Sequence, residues 1–199
     1  MARSYSMHGV QGAAARAVGL AHAWFRHEDP TSRVHDVSLD PRFQHRGVDL
    51  LWQRSDGRVL GVEVKGDRNG RRGNYFFELV SNVEKDTPGC FLYTEADLYV
   101  YALLDLREVH VLPMPAAREW FLPRASEWPL RHVHTRTGAL LYTTVGAVVP
   151  VRTVQADVAG AVRFRVGEDG TLSAKRPPRK APPSPVAPST GSGEKDVPA

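Results

Sequence analysis

Cysteine is almost missing from this chain: Cys90 is the only one among 199 residues. That excludes an internal disulfide framework and a cysteine-based zinc cluster, and it fits a reducing cytoplasm. Cys90 itself reads as a small buried hydrophobe. Long apolar runs are missing too. None approaches the roughly 18 residues that a membrane-spanning helix needs, so no membrane partner is expected. Ala21-His22-Ala23 mimics a signal-peptide cleavage site, but Arg16 interrupts the stretch ahead of it and the apolar spacing there is helical. A Walker phosphate loop, a dinucleotide fingerprint, an internal repeat and a serine or cysteine nucleophile with a placed base are likewise not found.

Net charge is also scarce once it is divided. The formal charge is +4, but residues 175–199 hold five Lys/Arg against two acids and so carry +3 of it. The body is nearly neutral. A body of that kind binds nucleic acid through local basic patches rather than through its overall field. The tail also holds seven of the fifteen prolines, mixed with Ser, Gly and Ala. Such a composition cannot bury enough apolar surface to order itself. The expected division is a domain over residues 1–174 and a disordered, Pro-rich basic tail over 175–199.

What is present alternates between helical and strand periods. Residues 8–26 carry Val10, Ala14, Ala17, Ala21 and Trp24 at helical spacing, and Asp29-Pro30 stops the run. Residues 33–39 read as a strand, and 40–47 as the loop after it. Strands are expected over the apolar run that Asp49 opens, to Trp52, and over the alternating run within Gly61–Asp67, joined through the Ser55-Asp56-Gly57 turn, with Tyr75–Val80 continuing beside the second of them. The segment 66–74 between is glycine-rich and basic, and reads as a hairpin tip. Phe91–Tyr93 and 98–104 read as two strands or as a strand and a short helix, and aromatic and β-branched content favours strand. Another strand is expected at 109–112 and a short helix at 114–122. Strands follow at 131–136, over the long run 140–154, and at 161–166. The fold class is therefore α/β, a mixed central sheet flanked by helices with additional C-terminal strands.

Chemistry concentrates in two pieces, Gly47-Val48-Asp49-Leu50-Leu51-Trp52 and Gly61-Val62-Glu63-Val64-Lys65-Gly66-Asp67. In the second, Val62 and Val64 point one way and Glu63 and Lys65 the other. Two strands joined by a short turn bring Asp49, Glu63 and Lys65 to one end of one sheet. Two carboxylates there supply hard oxygen ligands for a divalent cation, and an ammonium beside them offsets charge building on a phosphate under attack. Glu78, inside an apolar run, is either a further acid of this site or the partner of an arginine. Basic residues gather around it. Arg42, Gln44, His45 and Arg46 lie just ahead of Asp49, while Arg68, Arg71 and Arg72 follow Lys65, and Arg131 opens a later basic group with His132 and His134.

Asp49, a gap of thirteen residues, then Glu63-Val64-Lys65 resembles the PD-(D/E)xK nuclease superfamily, with its restriction-endonuclease-like fold. Val48 stands where the family's name has proline. The resemblance runs from the first helix to about Glu78. It implies that Asp49 and Glu63, with the Val64 carbonyl, bind Mg²⁺ or Mn²⁺, and that Lys65 positions a water. In resolvase-like members the first helix adds a glutamate; here Gln11 is the nearest polar residue, acting through water or not at all. The implied activity is metal-dependent hydrolysis of DNA, with endonucleolytic cutting favoured because no Gln-x-x-x-Tyr element follows Lys65. A binding module that kept the fold without catalysis is the alternative, and a homodimer stays open as the assembly.

Overall fold

Alternate residues of one strand, β3 (Val59–Asp67), meet opposite surroundings. Val62 is fully buried against a long helix, α1 (Met7–Glu28), whose Ala21, Trp24 and Phe25 share that core with it. Glu63 and Lys65 face away from α1, in register with Tyr99 and Tyr101 of β6 (Leu98–Leu103), which belong to a second core. The period of two has thus sorted the chemistry onto one face and the packing onto the other. The structure is a computed structural model that describes residues 7–137 and 140–175. Residues 176–199, almost all of the expected tail, lie outside them.

The helix exists because alanine and long apolar side chains dominate it, and it ends where the sequence says it should. Asp29, just past its end, accepts from the Ser55 amide and hydroxyl at 2.7 and 2.9 Å, tying the end of α1 to the Ser55-Asp56-Gly57 turn. Trp52 lies between Trp24 and Phe25, each ring pair 5.1 Å apart, so α1 is pinned over the strands by aromatic contact.

Strands β1 (Arg33–Asp36), β2 (Leu50–Gln53) and β3 form an antiparallel meander. β3 then pairs in parallel with β6, and β6 antiparallel with β7 (Glu108–Pro113). β10 (Val162–Val166) and β11 (Leu172–Ala174) complete a mixed sheet in the order β1-β2-β3-β6-β7-β10-β11. A parallel pair cannot be joined by a tight turn, so the chain must leave the sheet between Asp67 and Leu98. It uses that excursion to build a second, antiparallel sheet. There β4 (Asn74–Asn82) lies between β5 (Thr87–Pro88) and β9 (Leu140–Pro150), and β8 (Leu130–Thr137) forms the far edge.

The α/β class and the mixed central sheet agree with the sequence reading. The second sheet was not expected. β4 was expected beside β3 as the other arm of a hairpin; its backbone pairs with β5 and β9 instead. The expected hairpin tip is a 3₁₀ turn at Gly70–Arg72, fixed by the Asp105 carboxylate, which accepts from the Gly70 and Arg71 amides at 2.9 and 3.1 Å. Two segments read as strand are helical. Cys90–Tyr93 is a single turn, α3, and the run after β9 becomes α5 (Val151–Asp157), with Pro150 as its N-cap. α4 (Ala116–Phe121) falls where a short helix was expected and packs Phe121 into the core between the sheets.

Candidate active site

Asp49 is carried by a short, well-anchored loop. Asp40 caps the one-turn helix α2 (Pro41–Gln44), accepting from the Arg42 amide at 3.0 Å, with Pro41 at the first helical position. Gly47 then turns the chain with φ of 59°, a conformation that side chains resist, while a Cβ there would press on Thr94 at 3.1 Å. The segment after α3 locks this turn from the other side. Thr94 donates to the Gly47 carbonyl at 2.6 Å, the Glu95 amide to the Arg46 carbonyl at 2.7 Å, and the Gly61 amide to Asp97 at 2.7 Å. Residues 94–97 hold the Asp49 loop against β3.

The β2–β3 ladder ends at Leu50–Val62, and the Asp49 backbone amide adds one more bond to the Val62 carbonyl at 2.9 Å. The next donor, the Val64 amide, goes to the Asp49 side chain at 2.9 Å. Asp49 also shares a hydrogen bond with Glu63. Burial raises the Asp49 carboxyl above its ordinary value despite these bonds, and the nearby charge of Asp36 adds to the rise. Burial, then Asp49, pushes Glu63 up to about 8. Two carboxyls that cannot both ionise easily thus stand side by side. Among the described residues, no group of three His, Cys, Asp or Glu is arranged to hold a metal ion. What the site offers a hard cation is this pair of carboxylates, which leaves room for water or phosphate oxygens as the other ligands.

Lys65 stands two residues on, with its Nζ 2.7 Å from Glu78 Oε2. Burial disfavours the ammonium, yet Cys90, Glu78 and Glu63 around it hold its pKa above the ordinary lysine value. Glu78 therefore pairs with a lysine rather than with an arginine. Cys90 is buried, as expected of a small hydrophobe, but it also touches the chemistry. Its thiol hydrogen-bonds Glu63 and stands 3.5 Å from the Tyr99 hydroxyl. Burial pushes it up to about 12, so it is a neutral thiol. Neither Cys90 nor Tyr99 was legible as part of this site, because their approach depends on the β3–β6 register.

The basic residues divide. Arg42 is paired with Asp40 and Arg46 with Glu95, each at 2.6 Å, and Gln44 donates to the Ser38 carbonyl at 2.8 Å. His45 is exposed between them. Arg68 is half-buried just past β3. Arg72 and Arg131 line a cleft of about 650 Å³ that reaches Lys65 and Glu78. Arg71 instead opens, together with Arg72, onto a cavity of about 690 Å³ floored by Glu108 and His110. Gln11 lies on α1, and its side chain is outside the described residues.

No protein-family model, curated protein or solved structure matches the chain.

Proposed function

We propose that the chain is a metal-dependent nuclease that hydrolyses phosphodiester bonds of DNA, with a restriction-endonuclease-like core. The observation that carries this reading is the pressed pair Asp49–Glu63. Two half-buried carboxyls share a hydrogen bond; burial raises both, and the charge of Asp49 raises Glu63 further, a penalty on ionising the pair that a divalent cation would relieve. Asp49 and Glu63 would hold Mg²⁺ or Mn²⁺, with the Val64 carbonyl as a further ligand. A cation held there supplies Lewis acidity to the phosphate and lowers the pKa of water. Lys65 keeps its charge, so it orients a water and faces the negative charge that grows on the phosphate. Glu78 fixes the ammonium of Lys65 in place. The mixed sheet, with α1 on one face and the acids on the other, supports the core assignment.

One observation favours the alternative, a DNA-binding module without catalysis: Lys65 is already neutralised by Glu78 at 2.7 Å. A nicking assay on supercoiled DNA with Mg²⁺ and with Mn²⁺ separates the two. Cleavage that needs the metal and is lost in both Asp49→Asn and Glu63→Gln is the expected result. DNA binding with no cleavage under either metal would leave the module.

A further inference from the structure

One face of the second sheet is open, and its composition is not that of a solvated surface. Strand alternation and register place Phe76 and Glu78 of β4, Tyr142, Thr144 and Val148 of β9, and Arg131 and Thr135 of β8 on that face. Between them Gly146 has no side chain, and the Phe76 ring lies across the gap. A Cβ at Gly146 would stand 2.4 Å from the ring's Cζ. The Phe76 amide is held by the Tyr101 hydroxyl at 2.9 Å, which fixes the strand under the ring. Phe76 and Tyr142 are both half-exposed, so each offers part of an aromatic face.

This face is the wall of the cleft that reaches Lys65 and Glu78. Its two acids are occupied. Glu78 is paired with Lys65, and Asp67 accepts from the Asn69 amide at 2.7 Å. Arg72 and Arg131 are exposed at its rim, with His132 and His134 along the β8 edge. Aromatic platforms with a modest number of cations suit unpaired bases, which stack on rings whatever their sequence. A duplex buries its base faces and presents mainly phosphate, and so needs a larger basic surface. A cleft of about 650 Å³ also suits a short run of nucleotides rather than a double helix.

We propose that the β4–β9–β8 face is the bed of a single-stranded nucleic-acid segment, with bases against Phe76 and Tyr142 and phosphates at Arg72 and Arg131. The proposal deepens the nuclease reading, because the same cleft leads the strand to Lys65. It makes the substrate a single strand, an overhang or a locally opened duplex.

The test is fluorescence anisotropy with the full chain in chelator, so that no cleavage intervenes. A labelled oligonucleotide is compared with the blunt duplex of the same sequence and with a mononucleotide. The single strand should bind at least about tenfold more tightly than either. Tyr142→Ala and Arg131→Ala should each weaken the single strand, by about tenfold for the tyrosine, with little effect on the duplex. Phe76→Trp should keep the affinity. Gly146→Ala, which displaces the ring, should lower it, and the melting temperature of each variant is measured to confirm that the fold is kept. The charges of Lys175–Lys180 are the same throughout and cancel. Equal binding of duplex and single strand, or unchanged affinity in both Tyr142→Ala and Arg131→Ala, would overturn the proposal. With the metal-dependent cleavage assay run separately beside it, cleavage of duplex DNA without single-strand preference would sink it and spare the nuclease; tight single-strand binding in chelator without cleavage in Mg²⁺ or Mn²⁺ would do the reverse.

Discussion

Lys65 Nζ and Glu78 Oε2 stand 2.7 Å apart, and the bond joins the central sheet to the second one. The Glu78 side chain is only 13% exposed, so it depends on this partner. Lys65 neutralises Glu78, and in the proposed nuclease it would also act on the substrate.

Lys65→Ala should therefore do two separable things. It leaves Glu78 unpaired in a half-buried setting and should cost about 2 kcal/mol of stability. It should also lower the single-turnover cleavage rate by about a hundred- to a thousand-fold. The double variant Lys65→Ala/Glu78→Gln removes the stranded charge, so urea denaturation should recover most of the stability while the rate stays low. Recovery of cleavage in the double variant would mean that Lys65 serves Glu78 alone.

Glu63 makes metal-free stability fall with rising pH. Its folded-state value of about 8 lies above the ordinary 4.5, so the folded protein holds a proton that the unfolded chain releases. The stabilising contribution is complete below about 4.5 and is lost as pH rises towards about 8, by at most about 1.4 kcal/mol per unit. Glu63→Gln cannot lose that proton. In chelator, the difference in melting temperature between variant and wild type should grow in the variant's favour from pH 5 to 8. Parallel curves would show that Glu63 is ionised throughout.

How much of this was legible beforehand depended on distance along the chain. Asp49, Glu63 and Lys65 could be placed together because a short turn and a period of two are local facts. β4 could be recognised as a strand but not assigned a neighbour, because Phe76 pairs with Val148, seventy-odd residues on. Tyr75–Val80 has the same alternation in a hairpin with β3 as in a separate sheet. Cys90–Tyr93 is too short for its period to identify a helix, so its aromatic content misled. α5 carried a usable signal in Pro150 ahead of it, overridden by a valine-rich run that reads as strand. The Cys90–Glu63 contact had no local signal, since it arises from packing between α3 and the β3–β6 pair.

A second pH response has the opposite sign and a different origin. The Glu108 carboxylate can only accept, so His110 Nε2 donates to it at 3.2 Å; in the neutral ring Nδ1 then accepts from the Tyr75 hydroxyl at 2.7 Å, and that hydroxyl accepts from Gln155 at 3.0 Å. Burial lowers the His110 pKa and keeps the ring neutral. Glu108 is held at about 2: burial opposes its charge, but His110 and Lys175 outweigh it. Both groups have depressed folded-state values, so both contributions are lost as pH falls, below about 6.5 for His110 and between about 4.5 and 2 for Glu108. Glu108→Gln should cost about 3 kcal/mol at pH 7 and flatten the acid limb of the stability curve between pH 5 and 3. An unchanged acid limb would show that the network does not carry it.

The position at which the chain can be shortened follows from the same network. Composition begins the tail at Lys175, but Lys175 is bound to the body. Its amide donates to the Arg163 carbonyl at 2.9 Å, extending the β10–β11 pairing, and its ammonium pairs with the buried carboxylate of Glu108. Ending the chain after Lys175 keeps both contacts. Ending it after Ala174 removes the cation and leaves Glu108, whose side chain is 4% exposed, paired with His110. The chain that stops at Ala174 should therefore melt lower than the one that stops at Lys175, by an amount equivalent to about 2 kcal/mol. Lys175→Ala in the full chain should reproduce that loss, since it removes the ammonium and keeps the backbone. The chain ending at Lys175 should melt with the full-length protein, because a Pro-rich polar segment adds no core. Thermal denaturation of the four proteins at one pH is the measurement. Equal melting temperatures for the two truncations would show that Glu108 finds another cation or water, and that Lys175 belongs with the tail.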